Sequence, residues 1–246
     1  MWFNSNYYQL LYQHRSDSEA QLFINNLSEY AQFDHLQPAK SLDLGCGQGR
    51  HALYLGTKFP FLQVLGLDLA PDCIAQAQAQ AEKLNLKNCQ FAVQDILAPL
   101  DKYGEFGLIL NLFTSFGYFD RDELQLLVLK NVAAALSPKG VFVLDYMNVD
   151  RVIPNLVKVE TQEISGIHFH IERKIEEDFI RKYVHVQDPA QPEPQEFSEQ
   201  VKIYRLADFE QLFADAGLKI RAVFGDYQLN EFDSVKSPRL ILLAQR

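Results

Sequence analysis

Three glycines in five positions, Gly45, Gly47 and Gly49, sit inside the segment SLDLGCGQGRHAL, residues 41–53. An apolar, strand-like run leads in and a helix-like run leads out. Glycine admits positive φ and lacks the Cβ that would block a ligand from the backbone. Amides freed at the start of the following helix favour an anionic group. A pyrophosphate and a carboxylate both meet that description, and a plain tight turn is the bland alternative. Two neighbours narrow the choice. The dinucleotide fingerprint G-x-G-x-x-G needs a third glycine for close helix–strand packing, and Arg50 stands in its place. Asp43, two residues ahead of Gly45, would repel a pyrophosphate but could hold an ammonium, directly or through water. Its other reading is a buried acid pinning the loop through backbone N–H groups. A ligand that offers both ammonium and carboxylate is an amino acid or a derivative of one.

The elements that must carry this loop alternate between strand and helix from about residue 40 to residue 147. KSLDLGC, LQVLGLDL, CQFAVQD, FGLILNLF and VFVLDYM read as buried strands. RHALYLGTKF reads as a helix closed near Pro60. Pro71 opens a second helix, PDCIAQAQAQAEKL, whose apolar stripe is Ile74, Ala77, Ala81 and Leu84. Asp120 and Glu123 have the spacing of a capping box for RDELQLLVLKNVAAAL, and SPKG reads as a turn. The alternation predicts an α/β, doubly wound, mostly parallel sheet with right-handed crossovers, binding its ligand at the carboxyl ends of the strands.

The pattern changes after Tyr146. HFHIERKI, FIRKYVHVQ and QVKIYRL alternate polar and apolar residues, as half-exposed antiparallel strands do. Residues 148–205 are therefore expected to form a small β insertion within a single domain spanning 1–246. ADFEQLFADAG returns to helix with Gly217 as its stop. LKIRAVFGDY and RLILLAQR are expected as a final hairpin-like pair, which completes a seven-stranded sheet whose last strand is antiparallel.

At 246 residues, 48% hydrophobic and 22% charged, the chain can bury a sizeable core. Its net charge of −9 gives no general pull toward nucleic acid or an anionic membrane. Cys46, Cys73 and Cys89 show no metal-ligand spacing and read as free thiols in a reducing compartment. The opening MWFNSNYYQLLYQHR has no apolar stretch of the signal-peptide kind. A cytoplasmic protein is expected, with no metal and no membrane span.

With those residues in view, the chain resembles the class I, Rossmann-like S-adenosylmethionine-dependent methyltransferases. LDLGCGQGRHAL resembles their first motif, LGLDLA the second, VQDIL the third, ILNLFTSFGYF the fourth, and LSPKGVFVLDY the run into the fifth strand. The resemblance implies S-adenosyl-L-methionine as cofactor and S-adenosyl-L-homocysteine as product. It places Asp43, Gly45, Cys46, Gly47 and Gly49 around the methionyl group and Asp68 on the ribose hydroxyls, for which a helix N-cap before Pro71 is the alternative. Leu69 and Ile96 would flank the adenine, and Asp95 would accept from its amino group or else serve as a strand-end turn residue. Asn111 and Leu112 would lie under the sulfonium. YYQLLYQHR is similar to the N-terminal segments of glycine and amino-sugar N-methyltransferases, in which a helix folds over the cofactor. Residues 1–38 are accordingly expected as a helical lid. Tyr7, Tyr8 and Tyr12 could face the sulfonium and Arg15 the carboxylate, or the tyrosines could be core.

The leaving group in such a reaction is a neutral thioether, so alignment and water exclusion matter more than a strong catalyst group. A base is needed only for a protonated acceptor. His14, His51, His168, His170 and His185 are weakly placed, and no catalytic residue is singled out. Phe113, Phe116, Tyr118 and Phe119 after the fourth strand, and Tyr146 and Asn148 after the fifth, are pocket candidates whose alternative is core. The motifs of amino-group DNA methylation, cytosine C5 methylation and metal-dependent O-methylation are absent or poorly matched. The expectation is methyl transfer to an amine or hydroxyl of a small-molecule acceptor. The alternatives are a methyltransferase on tRNA or protein, a non-catalytic S-adenosylmethionine-binding protein and, more remotely, a nicotinamide-dependent oxidoreductase. The insertion is a candidate lid or homodimer contact.

Overall fold

A computed structural model describes residues 2–12 and 17–246. After a 3₁₀ turn at Trp2–Asn4 come α1 (Asn6–Leu11) and α2 (Asp17–Tyr30). The alternating body follows: β1 (Lys40–Leu44), α3 (Arg50–Lys58), β2 (Gln63–Asp68), α4 (Pro71–Lys83), β3 (Cys89–Val93), β4 (Phe106–Asn111), α5 (Asp122–Ala135) and β5 (Leu136–Met147). A single turn, α6 (Val149–Val152), leads to β6 (Val159–Ile164), β7 (Ile167–Glu176), β8 (Phe179–Gln187) and β9 (Gln195–Lys202). The chain ends with α7 (Leu206–Asp215), β10 (Lys219–Phe224) and β11 (Arg239–Gln245).

The main sheet has the order β3-β2-β1-β4-β5-β11-β10. Its first five strands run parallel, and β11 is antiparallel to both β5 and β10, as expected. Alternation along the strands sends apolar side chains to both faces. On β11, Leu240 and Leu242 join α5 and α7 in one core, while Ile241 and Leu243 join α2, α3 and α4 in the other. The order reverses between β1 and β4, which opens a crevice beside the end of β1. β6 to β9 form a separate antiparallel meander within the expected insertion. Lys202 ties it to the body, with Nζ 2.7 Å from Asp122 and 3.0 Å from Asp178.

Several local expectations need correction. Leu84 is exposed, while Cys73 joins Ile74, Ala77 and Ala81 on the buried face of α4. The capping box at Asp120 does not form. Arg121 is the N-cap of α5, and Asp120 accepts from Gln200 instead. SPKG lies inside β5, where pairing with β4 slips between Phe106↔Leu136 and Leu108↔Val141. The segment 1–38 divides: Trp2–Tyr12 lies against the insertion sheet, whereas α2 buries Phe23, Ile24 and Leu27 in the main core.

Candidate active site

The glycine loop leaves β1 held by one carbonyl: the amides of Gly45 and Cys46 both donate to the Leu67 oxygen, at 2.7 and 3.0 Å. Gly47 and Gly49 both have positive φ, but for different reasons. A Cβ on Gly49, the N-cap of α3, would stand 2.7 Å from the Phe91 ring, so this glycine lets α3 approach the sheet. A Cβ on Gly47 would meet nothing within 4 Å, so its backbone borders open space. Cys46 is buried below the loop, and burial pushes its thiol well above the ordinary value. It packs and does no chemistry in that state.

Asp43 is 1% exposed and its Oδ2 has no partner. Burial, then the charge of Asp68, pushes its pKa up to about 7, against the Ala52 N–H and Arg50, which pull it down. The pinning role and a free acceptor therefore coexist in one carboxylate. On the neighbouring strand, Asn111 Nδ2 donates to Leu44 O at 2.7 Å, and its buried Oδ1 is also unpartnered. Unpaired buried acceptors are costly, and two at the ends of adjacent central strands call for a donor-rich ligand group. Leu112 is buried directly after Asn111. Asp68, at the end of β2, accepts from the amides of Gly47 and Ala70 at 2.8 and 2.9 Å. It is not the helix cap, since Ala70 fills that position before Pro71. Leu69, 47% exposed, follows it. Across the end of β3, Asp95 is exposed, uses Oδ1 on the Leu97 amide, and precedes half-buried Ile96. The residues expected around an amino-acid-bearing nucleoside thus line one edge of the sheet.

The loop after β4 carries an arrangement that sequence reading missed. Phe113 and Thr114 both have positive φ, 58° and 61°. Asp145, in β5, accepts from the Phe113 amide at 2.8 Å, from Tyr227 at 2.9 Å and from Arg239 Nε at 2.7 Å. The Phe113 ring lies between guanidinium groups, 4.6 Å from Arg50 and 5.7 Å from Arg239. A buried acid inside the apolar run VFVLDYM was the available signal, because such a charge needs a partner. Tyr118, half-buried, donates to Thr114 O and contacts Phe3 edge-on. Phe119 is half-buried against the core. Phe116, Tyr146 and Asn148 are not pocket residues. Phe116 packs beside Tyr204 and Phe209, and Tyr146 donates to Lys202 O at 2.6 Å. Asn148 donates to the Ser234 and Ser237 carbonyls. Each is 2% exposed or less.

Trp2–Tyr12 forms a strap across the crevice. Asn4 pairs with Asp72 and Gln9 with Gln76 on α4, while Trp2 and Leu11 bury against Phe169, Ile171, Val184 and Val186 of the insertion. Tyr7 donates to Asp188 and Tyr8 packs on Trp2. Tyr12 contacts Lys182 and Glu199. These tyrosines are thus engaged with the insertion sheet and the strap itself. Arg15 and His14 lie outside the described residues. Beneath the sheet is a cavity of about 480 Å³, walled by Met147, Arg151, Val152, Asn155–Val157 and Pro238 and roofed by Glu160, Arg173, Ile180, Lys182, Glu199 and Val201, with Tyr12 at its side. Of the histidines, His51 is buried and driven down to about 3 by burial and Arg50, hence neutral. His168, His170 and His185 face Glu163, Glu172 and Glu196 on the outer side of the sheet. Among the described residues no helix is long and apolar enough to cross a membrane.

This strand order, with a bare loop after the first strand and an acid ending the second, defines the class I S-adenosylmethionine-dependent methyltransferases. A family model described as "Methyltransferase domain" matches residues 37–211, and the chain belongs to that family. Its fold is that of a S-adenosylmethionine-dependent methyltransferase from Clostridium acetobutylicum, at TM-score 0.81 and 20% identity, covering 97% of this chain and 95% of that one. A S-adenosylmethionine-bound amino pentose methyltransferase from Micromonospora echinaspora matches at TM-score 0.67 and 22% identity, over 98% and 97% of the two chains. A release factor glutamine methyltransferase from Vibrio cholerae is 39% identical over 70 residues, 28% of this chain. That match spans only 24% of the relative's length. The chain spans about a quarter to a half of the length of the first curated relatives it matches.

Proposed function

We propose that the protein methylates an amine or hydroxyl of a small molecule bound in the cavity under the insertion sheet. The observation that carries this reading is the cavity's position. Met147 and Pro238 place it at the carboxyl end of β5 and the start of β11, along the same sheet edge as the glycine loop. Its volume of about 480 Å³ suits a small ligand. The net charge of −9 works against a tRNA backbone.

When bound, S-adenosylmethionine would supply a methyl on cationic sulfur that leaves as a neutral thioether once an acceptor lone pair takes the carbon, the acceptor's proton being lost to solvent as the product departs. The chain binds and orients. Asp43 Oδ2 and Asn111 Oδ1 are the acceptors for the methionyl ammonium, and the Gly47 backbone gives its carboxylate room. Asp68 exchanges its loop amides for the ribose diol, Leu69 and Ile96 flank the adenine, and Asp95 Oδ2 takes the adenine amino group. Asp145, through Phe113, fixes the loop beside the reacting atoms. The strap and sheet exclude water.

The test is release of S-adenosylhomocysteine with a panel of small amines and alcohols, with total tRNA, and with a glutamine-containing release-factor peptide. Product is expected with a small acceptor and is lost in Asp68→Ala. Turnover confined to tRNA or peptide would replace this reading.

A further inference from the structure

The cavity roof carries a row of charge where a sheet's inner face should be apolar. Arg173, Lys182 and Glu199 stand opposite one another on β7, β8 and β9. They continue the face that buries Phe169, Ile171 and Val184 under the strap. Their side chains are 22%, 8% and 14% exposed. Like charges directly opposite on neighbouring strands repel, and Arg173 faces Lys182. Glu160 takes Arg173 Nη2 at 2.9 Å, and Glu199 takes Lys182 Nζ at 3.2 Å. Arg151, in α6, adds a third cation to the lining, with one donor on Lys236 O. The cavity therefore holds three cations against two carboxylates, inside a chain of net charge −9.

We propose that this row is an anion subsite and that the methyl acceptor carries a carboxylate, gripped by Arg173 and Lys182 with Arg151 in the same lining. The proposal rests on the small-acceptor reading above and names its substrate class. A guanidinium matches a carboxylate in two-point geometry. The apolar lining, Ile180 and Val201 among it, covers the acceptor's carbon frame.

The experiment reads binding and needs no turnover, so its failure is separable from failure of the acceptor reading. Protein saturated with S-adenosylhomocysteine is titrated with benzoate, with its neutral isostere benzamide, and with inorganic phosphate. Trp2 is the chain's single tryptophan and donates to Glu199 Oε2 at 2.8 Å, so its emission reports on the row. Benzoate is expected to shift that emission and raise the melting temperature, and benzamide to do neither. Arg173→Gln and Arg151→Gln each weaken benzoate about tenfold or more, the worth of one charge-assisted hydrogen bond. Arg181→Gln, whose partner is Glu176 on the other face, leaves it unchanged. Melting without ligand checks that each variant folds. Equal response to benzamide, binding of phosphate in place of benzoate, no response to benzoate, or unaltered benzoate affinity in Arg173→Gln would overturn the proposal.

Discussion

Arg239 closes on Asp145 across the antiparallel β5–β11 pair, Nε to Oδ1 at 2.7 Å, with Asp145 1% and Arg239 18% exposed. The same guanidinium reaches Thr114 Oγ1 at 2.9 Å, and the other oxygen of Asp145 holds the Phe113 amide. One ion pair thus clamps two consecutive left-handed residues, a conformation that costs about 1–2 kcal/mol for each non-glycine residue. Strain of this kind persists only where its surroundings enforce it.

Asp145→Asn keeps the shape but leaves Arg239 buried without a countercharge. Breaking such a pair costs about 3–5 kcal/mol, whereas replacing both partners by apolar residues is often neutral. Urea denaturation is expected to show a large loss in the single variant and substantial recovery in Asp145→Leu with Arg239→Met. The double variant should transfer methyl groups poorly, because no side chain at position 145 then accepts from the Phe113 amide. Normal turnover in the stable double variant would deny the loop its positioning role.

Gly47 and Gly49 separate binding from folding. Gly49→Ala drives a Cβ to 2.7 Å from Phe91, adding overpacking of about 1–3 kcal/mol to the φ penalty. Gly47→Ala has only the φ penalty, about 1–2 kcal/mol, because its Cβ enters open space. The larger fall in ligand-free melting temperature therefore belongs to Gly49→Ala. The larger loss of stabilisation by S-adenosylhomocysteine belongs to Gly47→Ala. A ligand at 100 times its Kd should add about 2.7 kcal/mol to the wild type. Thermal melts with and without ligand decide both.

If Asp43 holds the cofactor's ammonium as proposed, cofactor affinity is expected to depend on pH. Its pKa is near 7 in the fold against 3.8 in the unfolded chain, so between those values the fold holds a proton the unfolded chain has released. That contribution to stability is lost as pH rises to about 7. His51 works the other way. Its pKa of about 3, against 6.5 unfolded, makes stability rise with pH over that window. The two slopes oppose each other between about pH 4 and 6.5, and the ligand-free protein should show little net trend there from this pair. Binding an ammonium requires ionised Asp43, so affinity should increase as pH rises through 7. Calorimetric titration with S-adenosylhomocysteine from pH 6 to 8 measures it. Asp43→Asn should bind more weakly with a flat profile, and a persisting slope would clear Asp43 of this role.

What the sequence made legible follows from which residues have one physical use. Gly47 in the loop after β1, and Asp68 at the end of β2, are choices that packing alone does not demand, which is why the sequence singles them out. Phe116, Tyr146 and Asn148 were not legible, because an aromatic or amide at a strand end suits core and pocket equally. The Asp145–Arg239 pair was hidden by its separation along the chain, since Arg239 opens a strand that pairs back on β5. The charged row on the insertion emerges only once register is known. HFHIERKI alternates regularly, but which strand faces Arg173 depends on hairpin pairing.

The strap supplies the last prediction. Trp2 is 4% exposed, packs on Phe197, and donates to Glu199, while the main core has no share in that cluster. Removing a buried tryptophan side chain costs about 3–5 kcal/mol where the whole fold must absorb it. A short peripheral segment opens locally before it absorbs so much. Trp2→Ala should therefore leave the urea midpoint of the main domain nearly unchanged. It should speed hydrogen exchange at Asn6–Leu11, where protection depends on docking rather than on a helix of six residues. Because the strap also pairs with Asp72 and Gln76 on α4, its release uncovers the cofactor side of the crevice as well. S-adenosylmethionine should bind more weakly, by about tenfold if the closed strap is favoured over the open one by about 1.4 kcal/mol. Unchanged exchange at α1 with reduced affinity would place the effect elsewhere. Faster exchange with unchanged affinity would make the strap an ornament of the insertion rather than a cover for the site.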